Sequence, residues 1–164
     1  MRAAVAVSQD YDNPLQGLEL KDMPLPEPRE GWSRVRVVAS TINPHDLWTL
    51  RGVGHPAERI PIILGCDAAG YTDDGQAVIV HPVMGDANRG MGDMTLDPQR
   101  ALLSETINGA FAEYVLVPNE NLIPKPDFLS FEEAASLMVA WGTAYRMLFT
   151  RAELKAGDRV LVQG

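Results

Sequence analysis

The sequence is 164 residues long, 46% hydrophobic and 22% charged, with a net charge of −8 at neutral pH. That length holds one well-buried domain, or one domain and part of a second, and the composition is that of a folded chain rather than a disordered or fibrous one. The acidic balance argues against a nucleic-acid partner, which would need a basic face. The opening MRAAVAVSQDYDNP has one basic residue and a five-residue apolar run, too short for a signal-peptide core or a membrane helix. The single cysteine, Cys66, has no partner for an internal disulfide, so a cytoplasmic location without membrane contact is expected.

In chain order, residues 3–7 form a short apolar run closed by Ser8, Gln9 and Asp10. Leu18-Glu19-Leu20 alternates, and residues 23–28 (MPLPEP) must be extended, because proline fixes its own φ and keeps its predecessor out of the helical region. Residues 32–39 (WSRVRVVA) alternate as a strand with one buried face would. Further strands are expected at 62–64, 69–72, 77–80 and 112–118, with Asp74-Gly75 as a tight turn between two of them. Many short strands with turns between them predict a mainly β domain, a partly open barrel. Residues 85–108 carry Gly85, Gly90, Gly92, Asp93, Asp97 and Pro98 without periodicity and read as a long loop.

Around Leu129 the pattern changes. Ser130 and Glu133 have capping-box spacing, and Glu132 and Glu133 suit the positive end of a helix. Ala134, Leu137, Met138, Trp141, Tyr145 and Leu148 then follow helical spacing, predicting one long helix over 130–150 with an apolar face. Lys155-Ala156-Gly157-Asp158 makes a turn and residues 159–162 (RVLV) a short strand running to Gln163-Gly164. A strand leading into glycine is how a dinucleotide-binding βαβ unit begins.

Seven segments, MRAAVAV, PLPEP, VRVVASTINPHDLWTLRG, PIILGCDAAG, GAFAEYVLVP, EEAASLMVAWGTAYRML and KAGDRVLVQG, together resemble the medium-chain dehydrogenase/reductase superfamily, in the correct order over nearly the whole chain. The resemblance implies a GroES-like substrate-side domain over residues 1–128. Residues 129–164 would then be the connecting helix and first strand of a nucleotide-binding Rossmann domain that breaks off there.

The resemblance also bears on metal. Zinc alcohol dehydrogenases carry ligands at the positions of Asn43, Cys66 and Val139; here one is a poor ligand and one is none. A catalytic zinc needs about three protein ligands with N, S or carboxylate donors. The four cysteines of the zinc branch's structural lobe have no counterpart in residues 85–108. His45, Asp46, Cys66 and Asp67 offer an improvised set, but in an extended segment His45 and Asp46 would face opposite ways. No zinc is therefore expected, and Cys66 reads as a small buried residue beside the cleft.

Asn43-Pro44-His45-Asp46-Leu47-Trp48 resembles the N-P-x-D-x-aromatic signature of the zinc-free quinone oxidoreductase-like branch. By that resemblance Asn43 lies near the nicotinamide, Trp48 walls the substrate pocket and Asp46 supports the cleft. Trp48 stands where many quinone reductases have tyrosine, removing a phenol. Read without the resemblance, Asn-Pro is a turn signal and Asp46 caps a helix starting at Leu47. Thr143 matches a threonine near the nicotinamide, although a helical threonine can equally bond back to a preceding carbonyl. Gly164 would begin the phosphate-binding turn. His45 and His81 read as ordinary packed or surface residues, and His55 as solvent-exposed.

The resemblance implies an NAD(P)H-dependent oxidoreductase, with NADP(H) expected by branch and NAD(H) the alternative. It would pass hydride to quinones or α,β-unsaturated carbonyls as a homodimer, its partner a small carbonyl or quinone molecule. The competing readings are a zinc-containing alcohol dehydrogenase-like enzyme with atypical ligands and a non-catalytic GroES-like binding module.

Overall fold

A computed structural model describes residues 1–163. The alternating and β-branched segments pair as antiparallel strands. Strands β1 (Arg2–Ala6), β2 (Leu18–Asp22) and β4 (Ile62–Ile63) form one sheet in the order β2-β1-β4. A second, five-stranded sheet runs β10-β6-β5-β3-β9, from β3 (Trp32–Ala39), β5 (Ala68–Thr72), β6 (Ala77–Val80), β9 (Tyr114–Pro118) and β10 (Leu122–Pro124). Strands β7 (Val83–Met84) and β8 (Ala101–Leu102) make a small ribbon. The mainly β expectation is met, and the two larger sheets touch through the Ala3–Ala112 bridge.

Val35, Val78, Val80, Val115 and Val117 share one face of the five-stranded sheet with Ala68 and Leu103, all essentially without solvent contact. On its other face Ala69 and Ile79 pack against Ala134 and Ala135 of helix α2 (Phe131–Ala135). Helix α1 (Pro44–Arg51) is held to the three-stranded sheet by Leu50 against Ala6, Ile62 and Leu64. At Gly70 a Cβ would lie 2.0 Å from the Arg36 carbonyl oxygen, so β3 and β5 approach as closely as they do only because residue 70 has no side chain.

The loop expected over 85–108 is interrupted by β8, and its part before that strand is closed round a carboxylate. Asp97 is fully buried; it accepts from the backbone N–H groups of Asp86 at 2.8 Å and Gln99 at 2.9 Å, and from Arg89 Nη2 at 2.7 Å. Arg89 and these amides hold Asp97 ionised, well below the ordinary carboxylate range. Arg146, from the C-terminal helical segment, pairs with Asp93 of the same loop.

Three expectations need correction. The helix expected over 130–150 is segmented: after α2 the backbone takes wide π-helical turns over Leu137–Trp141, α-turns in α3 (Gly142–Tyr145), and π-turns again over Arg146–Arg151. Its apolar face is covered only at the start. Leu137 and Met138 pack on the sheet, while Trp141 and Tyr145 are about two-thirds exposed. Residues 159–162 form no strand and are exposed, because among the described residues they have no neighbouring strand to pair with. His55 is buried rather than exposed: Gln9 reaches across to the His55 carbonyl at 3.1 Å and the Thr49 carbonyl at 3.0 Å, closing the glycine-rich loop over the ring.

Candidate functional site

The site is built where α1 meets the β4–β5 connection. Asn43 is the residue before α1, and Asp46 sits in its first turn rather than ahead of a helix starting at Leu47. The Asp46 carboxylate accepts the Asn43 backbone N–H at 2.8 Å on one oxygen and the Gly65 N–H at 3.0 Å on the other. One buried side chain thereby locks the start of α1 onto the segment that carries Cys66. Burial pushes the Asp46 carboxyl upward, opposed by the two amide donors.

Asp67 gathers the other half of the site. It is fully buried, and its Oδ2 accepts from the Asn43 side-chain amide at 2.8 Å and the Thr41 hydroxyl at 2.6 Å. Its Oδ1 accepts from the Val139 backbone N–H at 3.0 Å. The carboxylate therefore ties β3's exit, α1 and the C-terminal helical segment together. The Asn43 side-chain amide and the Val139 backbone N–H converge on this carboxylate. Sequence reasoning gave Asp67 only a possible metal role. Its function as a hub depends on three segments that nothing in the local sequence brings together.

Cys66 and His45 meet in front of these carboxylates. Cys66 Sγ lies 3.3 Å from His45 Nδ1 and 3.3 Å from the Leu103 carbonyl oxygen, and His45 Nε2 lies 3.5 Å from Glu105. Glu105 was not anticipated at all, because it is brought in by the loop after β8. Burial, then the carboxylates of Asp46, Asp67 and Glu105, push the Cys66 thiol far above its ordinary range.

These residues border a cavity of about 550 Å³. His45, Cys66 and His81 form its polar side, Val83, Leu102, Met138 and Val139 its apolar side, and Thr143 lines the helical wall. A second cavity of about 440 Å³ lies elsewhere, lined by Pro24, Leu25, Trp32 and Ile63. It has no acid, thiol or imidazole on its wall, which favours the first as the reaction space. Of the sequence-predicted residues, Thr143 is on the cavity wall, while Asn43 and Asp46 are buried behind it. Trp48 stands half-exposed on α1, away from the lining. Gly164 lies outside the described residues.

The zinc question can be tested on these donors. His45 and Asp46 do converge, contrary to the extended-segment expectation, because in a helix successive residues differ by about 100° rather than 180°. The donor atoms of His45, Asp46 and Cys66 all lie within 4.8 Å of one another. The 3.3 Å separation of His45 Nδ1 and Cys66 Sγ suits two ligands of one tetrahedral ion, whose bonds are about 2.0 and 2.3 Å. Asp46, however, has each oxygen on a backbone amide whose loss would free α1. That leaves two uncommitted donors, one short of a catalytic zinc set.

Residues 29–127 match the alcohol dehydrogenase GroES-like domain family. The chain belongs to that family, and with it to the medium-chain dehydrogenase/reductase superfamily. It is 36% identical to a zinc-type alcohol dehydrogenase-like protein of Schizosaccharomyces pombe, over 90% of this chain and 42% of that one. It is 34% identical to crotonyl-CoA reductase of Streptomyces avermitilis (96% and 42% covered) and 31% identical to quinone oxidoreductase of Pongo abelii (87% and 40%). Among solved structures, an NAD-dependent alcohol dehydrogenase superposes with a TM-score of 0.88 at 34% identity, over 96% of this chain and 49% of that one. The chain spans about two-fifths of the length of these curated relatives.

Proposed function

We propose that this chain is the substrate-side part of a nicotinamide-dependent reductase that passes hydride to quinones or α,β-unsaturated carbonyls without a catalytic zinc. The observation that carries the reading is that Asn43 commits its side-chain amide to the buried Asp67 carboxylate and Val139 has only a hydrocarbon side chain, at two positions where the resemblance places zinc-branch ligands. Likeness to a quinone oxidoreductase and a crotonyl-CoA reductase supports the acceptor class. The cofactor supplies the hydride. Residues 1–128 would form the substrate side, with residues 129–164 leading into a nucleotide-binding domain. Thr143 would face the nicotinamide beside Asn43, with Gly164 starting the phosphate turn and Trp48 an outer wall.

Without a metal, the charge developing on the acceptor oxygen must be met by hydrogen-bond donors, one such donor being worth about 3–4 kcal/mol of barrier. Activated acceptors need less of this help than unactivated carbonyls. NADP(H) is the proposed cofactor by branch, and the likeness to an NAD-dependent enzyme keeps NAD(H) in the comparison. A cytoplasmic homodimer is proposed for the whole protein; no described helix is long and apolar enough to cross a membrane.

The test is oxidation of NADPH and NADH by the protein that carries this chain with 1,4-naphthoquinone, 2-cyclohexenone and simple aldehydes, alongside reduction of NADP+ and NAD+ with a panel of simple alcohols. Turnover of the activated acceptors alone supports the reading; turnover confined to simple alcohols refutes it. A second reading, an alcohol dehydrogenase with zinc on His45, Asp46 and Cys66, is favoured by the convergence of those three donors and the likeness to a zinc-type relative.

A further inference from the structure

We infer that the cavity of about 440 Å³ beside residues 23–28 binds a small hydrophobic carboxylate, whose charge is met by Arg29. The pairing of β1 with β2 ends at Met23, whose N–H donates to the Met1 carbonyl at 2.8 Å. Pro24, Pro26 and Pro28 then have no N–H to offer, so the chain crosses to β3 without joining either sheet. The cavity lies between this crossing segment and the two sheets, with Ile63 on one side and Trp32, Tyr114 and Leu116 on the other. Its size and mainly apolar wall are those of a small-molecule site.

The polar groups on that wall select an anion. Arg29 is placed by a turn closed from the Trp32 N–H to the Arg29 carbonyl at 2.9 Å, and its guanidinium stacks on the Trp32 ring, 3.7 Å from the centroid. Stacking occupies a face of the guanidinium and leaves its N–H edge, which takes a carboxylate in fork geometry. Among the described residues Arg29 makes no ion pair, and its sequence neighbours Glu27 and Glu30 are not on the wall. No Asp or Glu lines the cavity, in a chain whose net charge is −8. Asn108 adds a further donor: its side-chain oxygen accepts the Ile63 N–H at 3.1 Å, so its NH₂ group remains to donate. An apolar wall with a cation and no acid fits a ligand with an apolar body and one anionic end. The cavity shares no lining residue with the one of about 550 Å³, so the inference is independent of the reductase reading.

The experiment is calorimetric titration of the protein that carries this chain with 2-naphthoate, and with 2-naphthamide, which has the same rings and no charge. A Kd on the order of 0.1 mM is expected for the carboxylate. The amide should bind about tenfold more weakly, the scale of one hydrogen bond between charged groups. Arg29→Gln should weaken 2-naphthoate by the same factor and leave 2-naphthamide unchanged. Leu25→Trp, which enlarges a wall residue of the crossing segment, should fill the cavity and abolish binding of both. Arg29 and Leu25 are both exposed, so neither change disturbs the core. The inference is overturned if 2-naphthoate does not bind the parent, or if the amide binds as tightly. It is equally overturned if Arg29→Gln or Leu25→Trp binds 2-naphthoate as tightly as the parent does, the result expected of a ligand seated in a different cavity.

Discussion

The Asn43 side-chain amide donates to Asp67 at 2.8 Å, inside a site where neither residue is more than 6% exposed. Because Thr41 and Val139 donate to the same carboxylate, replacing it with an amide would turn one accepting oxygen into a donor facing donors. Asp67→Asn should cost about 2 kcal/mol or more of stability, the scale of losing hydrogen bonds to a buried charge. Urea denaturation followed by Trp fluorescence measures it; an unchanged midpoint would remove Asp67 as the hub.

Gly65 has φ of +96°, and a Cβ there would lie 2.4 Å from the Phe111 ring and 2.7 Å from its backbone nitrogen. Its N–H also holds Asp46. Gly65→Ala combines backbone strain with overpacking, so a loss of about 2 kcal/mol or more is expected, read as a lowered Tm.

Acid should open the 85–108 loop before the sheet. Thr95 and then Arg146 hold the Asp93 carboxyl down to about 2, and Arg89 holds Asp97 low as well. A carboxyl depressed in the folded state stabilises above its unfolded value, and that contribution is lost as pH falls through the folded one. The window is therefore from just under 4 down to about 2. Asp46, whose carboxyl is raised, works in the opposite sense and favours the folded state on acidification. Hydrogen exchange at pH 5 and pH 2.5 should show new exchange in residues 85–100 at the lower pH, with β3 and β5 still protected.

Trp48 is half-exposed, so Trp48→Ala should leave stability within about 0.5 kcal/mol. If it walls the substrate side, KM for 1,4-naphthoquinone rises several-fold while KM for NADPH is unchanged. Thr143→Val should do the reverse, raising KM for the cofactor up to about tenfold, the worth of one hydrogen bond. Steady-state kinetics separates the two.

Much of the fold could be read along the chain, because the alternation in 32–39 and the short β-branched runs report local burial. The Ser130–Glu133 cap is likewise a local pattern, and its reciprocal bonds are present. What could not be read is what depends on distant partners. His55 is covered by Gln9, Glu105 reaches His45 across the β8 loop, and residues 159–162 have no strand to pair with among the described residues. The convergence of His45 and Asp46 on Cys66 follows from α1 starting at Pro44, a start that Asn43-Pro44 alone does not distinguish from an extended turn.

The most direct test of a zinc-free reductase is the metal content of the protein that carries this chain, measured by elemental analysis after chelator treatment and alongside its NADPH–quinone turnover. The account predicts undiminished turnover with less than about a tenth of an equivalent of zinc, since only two of the about three ligands a catalytic zinc needs are free. One equivalent of zinc that resists the chelator, or whose removal abolishes turnover, and that disappears in Cys66→Ser, would contradict it.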